Sequence, residues 1–141
     1  MRKILLLFAT VSIVSLGIGY YMYNMPAKNL SKVKPDVIIS ADELMSLFEE
    51  NEETANGSFL GKVIEVSGKV SDVTISDDGS MEIILESQSL MGGVSCSFEA
   101  EDAMAYLSML ERVQNAVIKG ECTGYLADVI LKRCVVVKLI E

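Results

Sequence analysis

From position 4 to position 23 the chain reads ILLLFATVSIVSLGIGYYMY, twenty residues without a charge. As a helix rising about 1.5 Å per residue, this run is roughly 30 Å long, the hydrocarbon thickness of a bilayer. No other feature narrows the folding choices so much, because a helix that is apolar on every face has no place on the surface of a soluble domain. Arg2 and Lys3 precede the run, and Tyr20, Tyr21 and Tyr23 close it as aromatics do at a headgroup boundary. A cleaved secretory signal also has a basic start, an apolar stretch and small residues before the cut. Gly17-Ile18-Gly19 offers such residues, though without the Ala-x-Ala form. The length of the run favours an uncleaved membrane anchor over residues 1–23. No cysteine follows it to accept the lipid of a bacterial lipoprotein. Arg2 and Lys3 favour an N-terminus inside, while Lys28, Lys32 and Lys34 pull the other way. The export-like N-terminus tips the expectation toward a single-pass protein of the bacterial inner membrane, with its soluble part in the periplasm.

Beyond residue 27 the sequence carries 10 basic and 20 acidic residues, a net charge of −10. Nucleic acid selects Lys and Arg, so this balance disfavours it as a partner. An anionic membrane surface is disfavoured too, except at the three linker lysines. The sequence contains no His, which removes the usual general base and the commonest metal ligand together.

Residues 24–39, NMPAKNLSKVKPDVII, hold both prolines and three lysines without periodicity and read as a linker. The soluble domain is expected over 40–141. Ser40 and Glu43 form a capping box for a first helix, with Leu44, Leu47, Phe48 and Ala55 on one face and an end at Asn56-Gly57. The run of glutamates at 49–53 reads as a solvated face, since it lacks the Asp/Asn alternation of a calcium loop. From Gly61 the period becomes two, and Ile64, Val66 and Val70 mark a buried side. Gly68 in mid-strand predicts a bend or bulge. Asp77-Asp78-Gly79 predicts a hairpin turn into a strand over 81–86. A third strand over 93–98 places Val94, Cys96 and Phe98 on one face. EAEDAMAYLSMLERVQ repeats Ala103, Tyr106, Leu107 and Leu110 at helical spacing, with acids in the first turn. Met104 and Met109 on this helix are expected to pack. Two strands, 116–123 and 128–139, finish the chain.

This order, helix-β-β-β-helix-β-β, is the plan of a mainly β five-stranded OB-fold barrel, here preceded by an N-terminal membrane helix or signal anchor. Three stretches, FLGKVIEVSGKVSDV, GGVSCSF and GECTGYLADVILKRCVVVK, resemble the tRNA-anti-like OB-fold family of bacterial envelope proteins, over roughly residues 36–139. Some members of that family are labelled nucleic-acid-binding lipoproteins. The resemblance implies a fold and brings no catalytic residue with it.

Cys96, Cys122 and Cys134 lack the close pairing and four-ligand count of a zinc site, and no Cys-x-x-Cys redox couple exists. They remain either core thiols or one disulfide with a spare. A hairpin centred near Leu126 would set Cys122 opposite Ile130. Cys134 then lies four residues away, about 13 Å, which disfavours a Cys122–Cys134 bridge. Cys96 with either partner stays open. Tyr125 sits in the loop between the last two strands, where it either stacks on a ligand or plugs a barrel end. Lys69, Lys132 and Arg133 are the candidate cations of a ligand site, against the reading that three scattered cations on an acidic background serve solubility rather than a phosphate track. No phosphate loop, catalytic triad or convergent carboxylate pair is present, so no metal, cofactor or enzymatic activity is expected. The expectation is a non-enzymatic binding module for a protein, peptide or saccharide at the barrel face and the loops 76–80 and 123–127. Binding of single-stranded nucleic acid is the alternative.

Overall fold

The period-two segments fold as the strands of one closed sheet. The computed structural model of the protein describes the backbone of residues 2–23, 29–89, 92–110 and 113–140, and the side chains of all of these except 2–9, 22–23 and 110. Helix α1 runs Arg2–Tyr23, a 3-10 turn covers Leu30–Lys32, and β1 is Val37–Ser40. Then come α2 (Ala41–Glu50), α3 (Glu52–Phe59), β2 (Val63–Ile75), β3 (Met81–Glu86) and β4 (Val94–Phe98). Helix α4 (Ala100–Leu110), β5 (Asn115–Tyr125) and β6 (Val129–Ile140) complete the fold. The sheet order is β1-β2-β3-β4-β6-β5, and β2 also pairs with β5. Strands β2 to β6 therefore close into a barrel of the OB plan, with β4 and β6 parallel and its other neighbours antiparallel.

Closure depends on the length and bend of β2. Its first half pairs with β5 from Val63 to Lys69, and its second half pairs with β3 from Lys69 to Ile75. The change of partner falls at Lys69 and the bulge between Val70 and Asp72, both just past Gly68, where the sequence predicts a bend or bulge. A side chain at Gly68 would meet the Cβ atoms of Ala41 at 3.0 Å and Leu85 at 3.2 Å, so only glycine lets the start of α2 sit on the strand this closely.

The inward faces agree with the alternation. Ile64, Val66, Ile83, Leu85, Val94, Cys96 and Phe98 are buried in one core, joined by Leu44, Met45 and Phe48 from α2.

Four expectations need correction. The first helix is two helices. Asn51 ends α2 and begins α3, its Oδ1 accepting the Thr54 N–H at 2.9 Å, which is the N-cap role that Asn fills well. Asn56-Gly57 does not stop the helix. It continues to Phe59, and the chain leaves through Gly61 at φ 74°. The linker is not patternless throughout: Val37–Ser40 adds a sixth strand, parallel to β2, and Leu30 is 1% exposed. Met104 and Met109 do not pack; they are 80% and 58% exposed. At 100° per residue, Ala103 and Tyr106 hold the inward stripe of α4, and positions 104 and 109 point away from it.

Among the described residues no helix is long and apolar enough to cross a membrane. The described side chains of α1 run from Thr10 to Tyr21, about 18 Å of helix, and residues 4–9 and 22–23 of the expected span lie outside them.

Candidate ligand-binding face

An OB barrel offers a ligand its outward sheet face and flanking loops. Register fixes that face here. Lys69 lies opposite Glu86, Asp72 opposite Ile84, and Thr74 opposite Glu82, with Ser95 and Ser97 continuing the rows on β4. A bulge between Val70 and Asp72 sets this phase by inserting Ser71 as an extra residue, whose Oγ donates to the Ile84 carbonyl at 3.1 Å. Ser95 is buried and its Oγ donates to the Glu82 carboxylate. The face is polar and carries three carboxylates, with Ile84 at its centre.

At one end of this face, where β1 and β3 meet along the same edge of β2, lies an open groove of about 480 Å³. Asp42, Ser67, Lys69, Glu86, Gln88 and Asn115 line it. Asp42 accepts the Gln88 N–H at 2.7 Å, which ties the segment after β3 to the first turn of α2.

The four candidate ligand residues do not converge. Lys69 is exposed but its Nζ is 2.8 Å from the Glu86 carboxylate. Lys132 and Arg133 lie on β6, where register sets Lys132 against Glu121 on the opposite wall of the barrel, and Arg133 is ion-paired with Glu121. Arg133 also holds φ 54°, the left-handed conformation that a bulge demands and that side chains resist. Tyr125 is half-buried and its ring stacks on Phe48 of α2, centroids 5.4 Å apart, so it is occupied in the core.

The two loops also stand apart. The 76–80 turn is tied down by Asp78, whose Oδ1 accepts both the N–H and the hydroxyl of Ser80, at 2.9 and 2.6 Å. Those two bonds hold the exposed Asp78 carboxyl below its ordinary value. This turn lies against Ala100, past the end of β4, while Asp128 in the β5–β6 turn holds the Gly93 N–H at 2.7 Å at the start of β4. Five residues of strand, roughly 17 Å, separate them.

All three cysteines are free and buried. The register differs from the expected hairpin: Cys122 faces Leu131, because the strands slip a residue between Cys122 and Gly124. The Cys96 thiol donates to the Val94 carbonyl at 3.9 Å, and the Cys134 thiol beside it, together with burial, raises its pKa well above the ordinary thiol value. Burial raises the Cys122 thiol as well. Cys96 and Cys122 are thus core groups kept protonated, without the depressed pKa of a nucleophile. Among the described residues no group of three or more His, Cys, Asp or Glu side chains is gathered to hold a metal.

One residue of consequence was not singled out from the sequence. Lys119 is 7% exposed, and its Nζ donates to the carbonyls of Val33 at 2.8 Å and Ser31 at 3.2 Å. Its phase in β5 is outward, and nothing local to it predicts that the 29–33 segment lies across it.

Fold and face together define a small OB-type barrel with a polar, carboxylate-bearing sheet face. A family profile described as tRNA_anti-like matches residues 1–136, and the chain belongs to that family. Among solved structures, it is similar to a Klebsiella pneumoniae protein provisionally named a nucleic acid-binding lipoprotein. Identity is 17%, with 81% of this chain and 100% of that one covered, at a TM-score of 0.59. It also aligns, at a TM-score of 0.44 and 13% identity, with a provisionally assigned aspartyl-tRNA synthetase from Leishmania major, covering 92% of this chain and 27% of that one. No curated protein matches the chain. At 17% identity the likeness to the Klebsiella pneumoniae structure speaks for the barrel alone.

Proposed function

We propose that this protein is a non-enzymatic binding module of the bacterial envelope, whose β2–β3–β4 face takes a protein, peptide or saccharide partner. The observation that carries the reading is the make-up of that face. Asp72, Glu82 and Glu86 face outward with a single cation, Lys69, already engaged by Glu86. A single-stranded nucleic-acid site on an OB barrel pairs a basic groove with stacking rings. This face has neither, and Tyr125 is committed to Phe48. With no His in the chain, and with the Cys96 and Cys122 thiols held protonated in the core, the available side chains favour binding over catalysis. The envelope location is supported by the charge-free run 4–23 behind Arg2 and Lys3, read as a tether across the inner membrane with the barrel in the periplasm.

A second reading, binding of single-stranded nucleic acid, is favoured by the name of the Klebsiella pneumoniae relative. A photo-reactive residue placed at Ile84 in the full-length, membrane-extracted protein separates the two. Cross-links to protein or glycan support the proposal. Cross-links to an added labelled oligonucleotide at low salt, weakening as salt is raised, would replace it with the second reading.

A further inference from the structure

We infer that the barrel wall formed by β5, β6 and the first half of β2 lies against anionic lipid headgroups. The inference rests on the tether reading above, but its observations come from a different side of the molecule. Although the chain carries a net charge of −8, exposed lysines collect around this wall. Lys32 and Lys34 belong to the segment docked on it, Lys62 sits at its lip beside Val63, and Lys132 and Lys138 project from β6. The carboxylates here are few and largely engaged. Glu121 is paired with Arg133, Asp36 accepts the Val63 N–H at 2.9 Å, and Glu65 is half-buried opposite Lys119.

Between the lysines stand exposed aliphatic side chains: Ile38 at 73% exposure, Val137 at 48% and Ile140 at 40%. Ile38 shares the outward row of Glu65, Lys119 and Val135, so the apolar and basic groups lie on one surface. Lysines surrounding projecting aliphatics are the composition of a surface that settles into a bilayer interface. Among the described residues of β5, β6 and the first half of β2 no exposed ring is present to stack on bases, so lipid fits this wall better than a nucleic-acid strand.

The chain's own path supplies the second observation. Leu30 and Val33 pack on Val63 and Val135, and Lys119 grips the Ser31 and Val33 carbonyls, so the segment arriving from the N-terminus is clamped to this wall. Six residue steps from Tyr23 to Asn29 reach at most about 20 Å, which keeps the end of α1 close to it. A barrel so tethered presents its lysines to the headgroups and turns the β2–β3–β4 face toward solvent. Each lysine near such a surface strengthens partitioning on the order of fivefold.

The test uses the full-length chain in two kinds of vesicle, phosphatidylcholine alone and phosphatidylcholine with phosphatidylglycerol. A fluorophore is placed on Val137→Cys, or on Thr74→Cys of the opposite face, with a lipid quencher at headgroup depth. The expected result is quenching at position 137 and not at 74, in anionic vesicles only, lost in Lys132→Glu/Lys138→Glu and at raised salt. Flotation with both vesicle types but no quenching at 137 would overturn the inference and keep the tether. Flotation with anionic vesicles only, with quenching at 137, would discard the tether and keep the wall. Flotation with neither would discard both. A labelled oligonucleotide bound by the wild type and released by the same charge reversal would assign the wall to nucleic acid and sink the lipid reading.

Discussion

Lys119→Met tests whether the Lys119 clamp holds the N-terminal segment on the barrel. Methionine keeps the unbranched shape and apolar stem of lysine but removes the charge and every donor. Two bonds are lost. Water can replace the 3.2 Å contact at Ser31, an exposed residue, whereas the 2.8 Å contact lies over half-buried Val33. Counting the second bond alone, a charged donor on a carbonyl contributes about 2 kcal/mol. That corresponds to a roughly 30-fold rise in the open population of the segment. Hydrogen exchange reads it at two amides that the docked segment protects, Val33 to the Leu30 carbonyl and Asp36 to the Val63 carbonyl. Both should exchange about 30-fold faster in the variant, while amides of the β2–β5 ladder change little. Trypsin cleavage after Lys32 should quicken in step; Lys34 precedes Pro35 and is not a cleavage site. Equal acceleration throughout the barrel, or none at position 33, would refute the clamp and leave Lys119 as an ordinary stabilising contact.

Other consequences follow from particular contacts. Gly120→Ala should lower the urea midpoint by an amount equal to roughly 1–3 kcal/mol, because a Cβ there meets the Cys134 Sγ at 2.5 Å. Adding Cys134→Ala should recover part of that loss, and no recovery would place the strain elsewhere. Asn51→Ala should cost about 1 kcal/mol, read as a lower thermal midpoint, by removing the cap of α3. Cys96 and Cys122 are held above the ordinary thiol value in the fold, so the folded chain keeps protons that the unfolded chain releases above about pH 8.5. Their stabilising contribution is complete below that pH and is lost above it, at up to about 1.4 kcal/mol per pH unit per thiol. Urea midpoints at rising pH should be level to about pH 8 and then fall. A level profile through pH 9.5 would contradict the burial of these thiols.

The alternation of Ile64 and Val66, and of Val94, Cys96 and Phe98, was legible because a strand's two faces are set by neighbouring residues. Ser40 likewise announced its helix, and its Oγ accepts the Glu43 N–H at 3.2 Å. Local signals also misled. Asn56-Gly57 looked like a stop but lies inside α3, and Asn51 looked like one more polar residue in an acidic run but caps a helix. Of the candidate site, Lys69 was visible as an outward residue, while its engagement by Glu86 depended on strand register. Tyr125, expected in the loop, is the last residue of β5 and pairs with Val129, and the choice between ligand platform and core plug waited on Phe48.

By itself the amino-acid order determined the barrel's strand plan, the lack of imidazole chemistry and the charge-free N-terminal run, all of which follow from composition and short-range periodicity. Only the tertiary structure decided that β1 would join the sheet, that Cys134 rather than Cys122 would meet Cys96, and that Lys119 would be covered. The contacts of Lys119 join residues 88 and 86 positions apart. Separations of that size lie far beyond the few residues over which side-chain periodicity carries information, so they had to be read from the closed barrel.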